Sequence, residues 1–123
     1  MSDNLEKKVV ENKKYAFEEA IEKSTKYFKG DKLAARVWVN KYALKDSAGN
    51  IYESNPEEML HRLAKEIGGI EGKYTNPLSE DKIFELLDGF KYIVPQGGPM
   101  TGIGNDYQVA SLSNCLLLGG RKF

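Results

Sequence analysis

The stretch SNPEEMLHRLAKEIGG, residues 54–69, carries a start signal, a periodic body and a stop signal in one short run. Asn55 is placed to cap a helix: its side-chain oxygen can accept one of the N–H groups that the first turn leaves without an intrahelical partner. Pro56 falls at the first helical position, where its missing N–H costs nothing. Glu57 and Glu58 follow, beside the positive end of the helix dipole. Met59, Leu60, Leu63 and Ile67 form an apolar stripe at helical spacing, and Gly68-Gly69 is the expected stop. A helix with one apolar stripe needs other helices to bury it, and the sequence on either side supplies them.

Upstream, residues 4–29 read as one long helix. Val9, Val10, Phe17, Ala20, Ile21, Tyr27 and Phe28 recur at helical spacing, Ser2 or Asp3 caps the start, and Gly30 suits the left-handed position after the end. Asp31 then caps KLAARVWVNKYAL, a helix expected to bury Leu33, Val37, Trp38 and Tyr42. In KDSAGNIYE, Gly49-Asn50 between apolar flanks marks a turn or small hairpin. Downstream, EGKYTNPL is a loop, and Ser79 caps EDKIFELLDGF, with Ile83, Leu86, Leu87 and Phe90 on one face.

After Phe90 the character changes. KYIVPQGGPMTGIGND is too rich in glycine and proline for long regular structure, and YQVASLSNCLLL, residues 107–118, alternates like a strand. The expected fold is therefore mainly α. A helical domain of about four helices spans residues 1–90, and residues 91–123 add a glycine-rich loop and one β-strand. A lone strand leaves both backbone edges unpaired, so this one reads as built to join a sheet that the chain does not contain.

The 123 residues suit one domain with a modest core. Eighteen Lys and Arg balance eighteen Asp and Glu, which argues against nucleic acid, since such binding needs a basic face to displace counterions. The opening lacks a signal-peptide pattern, and no stretch approaches the ~20 apolar residues of a membrane span. One cysteine cannot form an internal disulfide, and neither a structural zinc site nor a disulfide framework is available; a reducing cytoplasm is the expected setting.

Few residues stand out as chemistry. Cys115 is either a small buried hydrophobe or a redox or nucleophilic thiol, and the second role needs a base or another thiol. His61, the single histidine, falls off the apolar stripe and reads as a surface residue. The carboxylates scatter among lysines as on a solvated face. The run GGPMTGIGND has glycines that can aim N–H groups at an anion, but it matches neither the dinucleotide fingerprint nor the P-loop, and it reads as a plain loop.

Two longer segments together resemble one family. LAARVWVNKYALKDSAGNIYESNPEEMLHRLAKEI is similar to the N-terminal helical domain of ribonucleotide reductase large, catalytic subunits. FKYIVPQGGPMTGIGNDYQVASLSNC resembles the next part of that family, the loop and first strand entering its ten-stranded α/β barrel. The wording is closest to the adenosylcobalamin-dependent diphosphate reductases. The resemblance implies that Cys115 is one of two thiols that reduce the ribose 2′ position and end as a disulfide. It implies that Ser113 and Asn114 contact the substrate, and that the backbone around Met100, Thr101 and Gly102 lines the same pocket. No metal ligand is implied in this segment.

The second reducing cysteine, the thiyl-radical cysteine and their asparagine and glutamate partners do not occur here, and no ATP-cone motif opens the chain. The tail LLLGGRKF departs from the family wording after its SNC motif. The expectation is an N-terminal segment of a truncated or split subunit, inactive alone. Its implied partners are the barrel portion, a ribonucleoside diphosphate and a thioredoxin-like reductant. Adenosylcobalamin, or alternatively a metal-radical partner subunit, serves the complete enzyme. The rival expectation is a non-catalytic helical module that docks its C-terminal strand on a partner's sheet.

Overall fold

The computed structural model describes residues 13–113 and 118–120. Five α-helices follow in order: α1 (Phe17–Tyr27), α2 (Lys32–Lys41), α3 (Pro56–Glu71), α4 (Glu80–Leu87) and α5 (Gly97–Gly102), with a 3-10 turn (Asp88–Phe90) after α4. α1 packs along α2, α3 packs along α4, and α5 touches α3. The centre of the core comes from α3: Met59, Leu60, Leu63 and Ala64 are buried against Ala20, Trp38, Val39, Ile83 and Leu87. Trp38 donates its indole N–H to Met59 Sδ at 3.4 Å, so the largest core side chain also has its polar atom satisfied.

The capping residues act as the sequence implies. Asp31 accepts from the amide of Ala34 at 3.0 Å, Asn55 from that of Glu58 at 3.1 Å, and Ser79 from that of Lys82 at 3.2 Å. Glu58 in turn accepts from the amide and hydroxyl of Ser54, at 3.0 and 2.9 Å, which closes a reciprocal cap at the start of α3. The turn at Gly49, whose φ is +86°, folds around Asp46. That carboxylate accepts from the amides of Ala48 and Asn50, the side-chain amide of Asn50 and the hydroxyl of Tyr52, all at 2.8–3.0 Å.

The structure corrects four expectations. The first helix does not run through residues 13–16. Tyr15 instead donates its amide to Ile51 O at 2.8 Å in an isolated antiparallel bridge, which a 3.6-residue period cannot reveal. The earlier part of that expected helix, with Val9, Val10 and its proposed caps, lies outside the described residues. On α2, Leu33 is 73% exposed and Val37 40% exposed. The inward stripe is Ala35, Trp38 and Val39, one step further round the same helix. Gly68 and Gly69 do not stop α3, which continues to Glu71; neither has a positive φ, so both extend the helix as ordinary residues. The glycine-rich loop holds a short helix, α5, where none was expected.

The single strand is met only by its first residues, because 114–117 lie outside the described ones. Residues 106–108 bend, and 109–113 join no ladder. Among the described residues the only strand-like pairings are the bridges of Ile51 with Tyr15 and Lys45, so no sheet edge is present for this segment to extend. No helix among the described residues is long and apolar enough to cross a membrane.

Candidate functional site

The glycine-rich segment meets the helices through a buried charge pair and an aromatic stack, besides the packing of Met100 and Ile103 on the core and the bond from the Ile93 amide to Leu86 O at 3.0 Å. Glu53 lies just before α3 and is 4% exposed. Arg62, two turns into α3, keeps only 10% of its side chain exposed and donates Nε to Glu53 Oε1. Its other two nitrogens reach across to α5: Nη2 donates to Met100 O at 2.7 Å, and Nη1 donates to Ile103 O. Burial pushes the Glu53 carboxyl above the usual carboxylate range, against the pull of Arg62.

The approach of α3 to this segment depends on a missing side chain. Gly104 has φ +72°, and a Cβ there would sit 2.8 Å from Arg62 Cγ and 2.9 Å from Glu66 Cγ. Beyond it, Asn105 Oδ1 accepts from the amides of Tyr107 and Gln108 at 2.9 and 3.2 Å. This turn presents the ring of Tyr107 to Tyr52, with centroids 4.3 Å apart and planes within 9°. Thus both the Asp46 turn and α3 grip the segment.

A polar cavity of about 240 Å³ opens between the end of α2, the Asp46 turn and this segment, with Thr101, Asn105, Lys41 and Lys45 on its wall. The Thr101 hydroxyl donates back to Gly97 O or Gly98 O, at 3.0 and 3.2 Å. Lys45 donates its ammonium to the carbonyls of Val39 and Asn40 at the end of α2, and burial lowers its pKa. A larger cleft of about 610 Å³ between α1 and α2, with Phe17, Ile21 and Arg36 on its wall, shares no residue with the polar one.

Of the site residues expected from the sequence, Met100, Thr101 and Gly102 stand together on α5. Ala110 and Leu112 pack on Gly102, where a Cβ would come within 3.3 Å of Ala110 Cβ and 2.9 Å of Leu112 Cδ2. The chain that leads to Ser113 therefore runs beside the α5 turn. Ser113 itself is exposed, and its amide bonds Ser111 Oγ at 3.2 Å. Asn114 and Cys115 lie outside the described residues. His61 is exposed and stacks on Phe84 at 3.8 Å, with Glu57 Oε1 3.9 Å from Nε2 and no link to the α5 segment.

Sequence reasoning missed Glu53 and Arg62. The available signal was an arginine between buried residues of α3, on a flank where a free charge could not remain unpaired.

Residues 28–98 match the family model described as "Ribonucleotide reductase, all-alpha domain". No curated protein and no solved structure matches the chain. The matched span begins at the end of α1, takes in α2, α3 and α4, and stops at the start of α5.

Proposed function

Because this chain belongs to the ribonucleotide reductase family through its all-alpha domain, we propose that it is the N-terminal segment of a ribonucleoside-diphosphate reductase catalytic subunit. The observation that carries this reading is the family match over residues 28–98, together with the attachment of the adjoining α5 segment to that same domain. In this reading the helical domain presents residues 100–102 and the chain toward Ser113, Asn114 and Cys115 to a substrate pocket, which the remainder of the catalytic subunit completes.

A cysteinyl radical elsewhere in the complete enzyme takes the 3′ hydrogen of the ribonucleotide and later returns it. The 2′ hydroxyl leaves as water, and Cys115 with a second thiol supplies two electrons and becomes a disulfide. A thioredoxin-like dithiol reduces that disulfide by exchange. The 123 residues contain one cysteine, so the pair needs a second polypeptide segment. Adenosylcobalamin, or a metal-radical partner subunit, is the radical generator of the complete enzyme in this reading. Among the described residues no three His, Cys, Asp or Glu side chains gather as a metal-ligand set, and no cofactor is assigned to them.

The test is complementation. The chain alone, given CDP or ADP, a dithiol and adenosylcobalamin, is expected to show no turnover, since most of a cooperating catalytic set is absent. Mixing with a polypeptide that supplies the barrel portion is expected to restore reduction, and Cys115→Ser to abolish it. Restored activity that survives Cys115→Ser would overturn the redox role. A module that only docks on a partner's sheet would bind equally well with either residue.

A further inference from the structure

We propose that Arg62 is a positioning residue that sets the backbone of the α5 turn for substrate binding. This rests on the reading that residues 100–102 line the pocket. The last four carbonyls of a helix have no intrahelical partner and must be satisfied from elsewhere. In α5 they can be followed one by one. Pro99 O accepts from the amide of Ile103 at 3.1 Å, and Gly102 O from the amide of Asn105 at 3.2 Å. Thr101 O accepts from the side-chain amide of Asn105 at 3.3 Å. Met100 O alone depends on a distant part of the chain, and its donor is Arg62 Nη2.

The arginine is suited to this for three reasons. Its planar fork presents fixed N–H directions, so one side chain serves Met100 O, Ile103 O and Glu53 Oε1 together. Its Nε is held by a buried carboxylate just before α3, so the fork is anchored on the side away from the segment. Gly104, with φ +72° and no side chain, lets the segment close down on the Arg62 stem. A helix of six residues is far below the length that is stable alone, so its position is decided by such contacts. The all-alpha domain thereby does more than precede the pocket. It sets where one wall of the pocket stands.

The test compares Arg62→Lys, which keeps a cation beside Glu53 but has no fork, with Gly104→Ala, which pushes on the same contact without altering charge. Amide hydrogen exchange on the full 123-residue chain is expected to quicken by about tenfold or more over residues 100–108 in both variants, with the amides of α2 and α3 unchanged. In the complemented enzyme the same variants are expected to raise KM for the ribonucleoside diphosphate about tenfold with kcat held within about twofold, the pattern of weakened uniform binding. Wild-type exchange in Arg62→Lys would overturn the positioning role and leave the pocket reading intact. Faster exchange with an unchanged KM would overturn the proposal from the other side, because the segment would then not line the pocket. Exchange that quickens equally in all helices would also overturn it, by showing that Arg62 serves global stability alone.

Discussion

Residues 17–90 and residues 91–113 are held by different means. In the first region three of the four helices carry side-chain caps of their own, from Asp31, Asn55 and Ser79, and the apolar stripes meet around Met59, Leu60 and Leu63. In the second, α5 has no side-chain cap and no fully buried residue. Tyr92, Val94 and Leu112 are 69%, 66% and 53% exposed. What holds it is borrowed: the Arg62 fork, the Tyr52 ring, the bond from the Ile93 amide to Leu86 O, and the packing of Met100 and Ile103 on the edge of the core. The difference separates a unit with caps and a core of its own from a segment that is fastened to it. Of the residues that the proposed function assigns to the pocket, Met100, Thr101, Gly102 and Ser113 lie on the fastened segment, and Asn114 and Cys115 lie outside the described residues.

The largest effect is expected where the first region is densest. Trp38→Ala removes a side chain that is 3% exposed and is bonded to Met59, and it should lower the unfolding free energy by about 3–5 kcal/mol. Chemical denaturation followed by circular dichroism measures this. A loss below about 1 kcal/mol would mean that the helical core collapses readily around a cavity, and the contrast with the second region would weaken.

Cutting the chain after Phe90 is expected to have the next largest effect. The truncated protein should still melt in one cooperative transition, at a temperature lowered by the loss of Met100 and Ile103 from the core edge but by less than in Trp38→Ala. Calorimetry decides it. A broad, non-cooperative melt would place the second region inside the folding unit and erase the division.

A smaller effect tests the Asp46 turn, which joins the two regions through Tyr52. The Asp46 carboxyl is lowered from 3.8 to about 2, chiefly by the side-chain amide of Asn50, then by the amides of Asn50 and Ala48 and the Tyr52 hydroxyl. A carboxylate with a depressed folded-state pKa contributes stability that is complete above its unfolded value and is lost as pH falls through the folded one. The contribution should therefore be full above about pH 4 and fade toward pH 2. Denaturation midpoints across that window should fall less steeply in Asp46→Asn than in the wild type. Equal slopes would mean that the turn is held by Gly49 and the backbone alone.

How far the sequence is legible follows the same division. Caps, a helical stripe and a left-handed glycine are local features, and Asn55, Ser79, Asp31 and Gly30 declared them correctly. The stripe of α3 was plain because its four apolar positions share one face. That of α2 was misread because Leu33 and Val37 share a face too, and only the packing of α1 and α3 decides which face turns inward. Tyr15 left the expected helix for a bridge to Ile51, thirty-six positions along the chain, and no local pattern encodes such a partner. The Arg62 fork is of the same kind, since its acceptors are carbonyls, which every residue possesses. The expected site residues came from resemblance to a family. The means of fastening three of them to the helices came from the structure.

The smallest effect concerns a buried polar group on the first helix of the helical region. The Tyr27 hydroxyl is buried with no hydrogen-bond partner among the described residues, and burial raises its pKa. The Tyr27 ring meets Phe28 edge to face at 5.2 Å, a contact that phenylalanine would keep. Tyr27→Phe therefore deletes a desolvated polar atom and leaves the packing in place, so stability should hold or rise by about 1 kcal/mol. A loss of about 1 kcal/mol in denaturation would reveal a partner for this hydroxyl beyond the described residues. The helical unit would then draw, like the α5 segment, on a contact outside itself, and the contrast between the two regions would become one of degree.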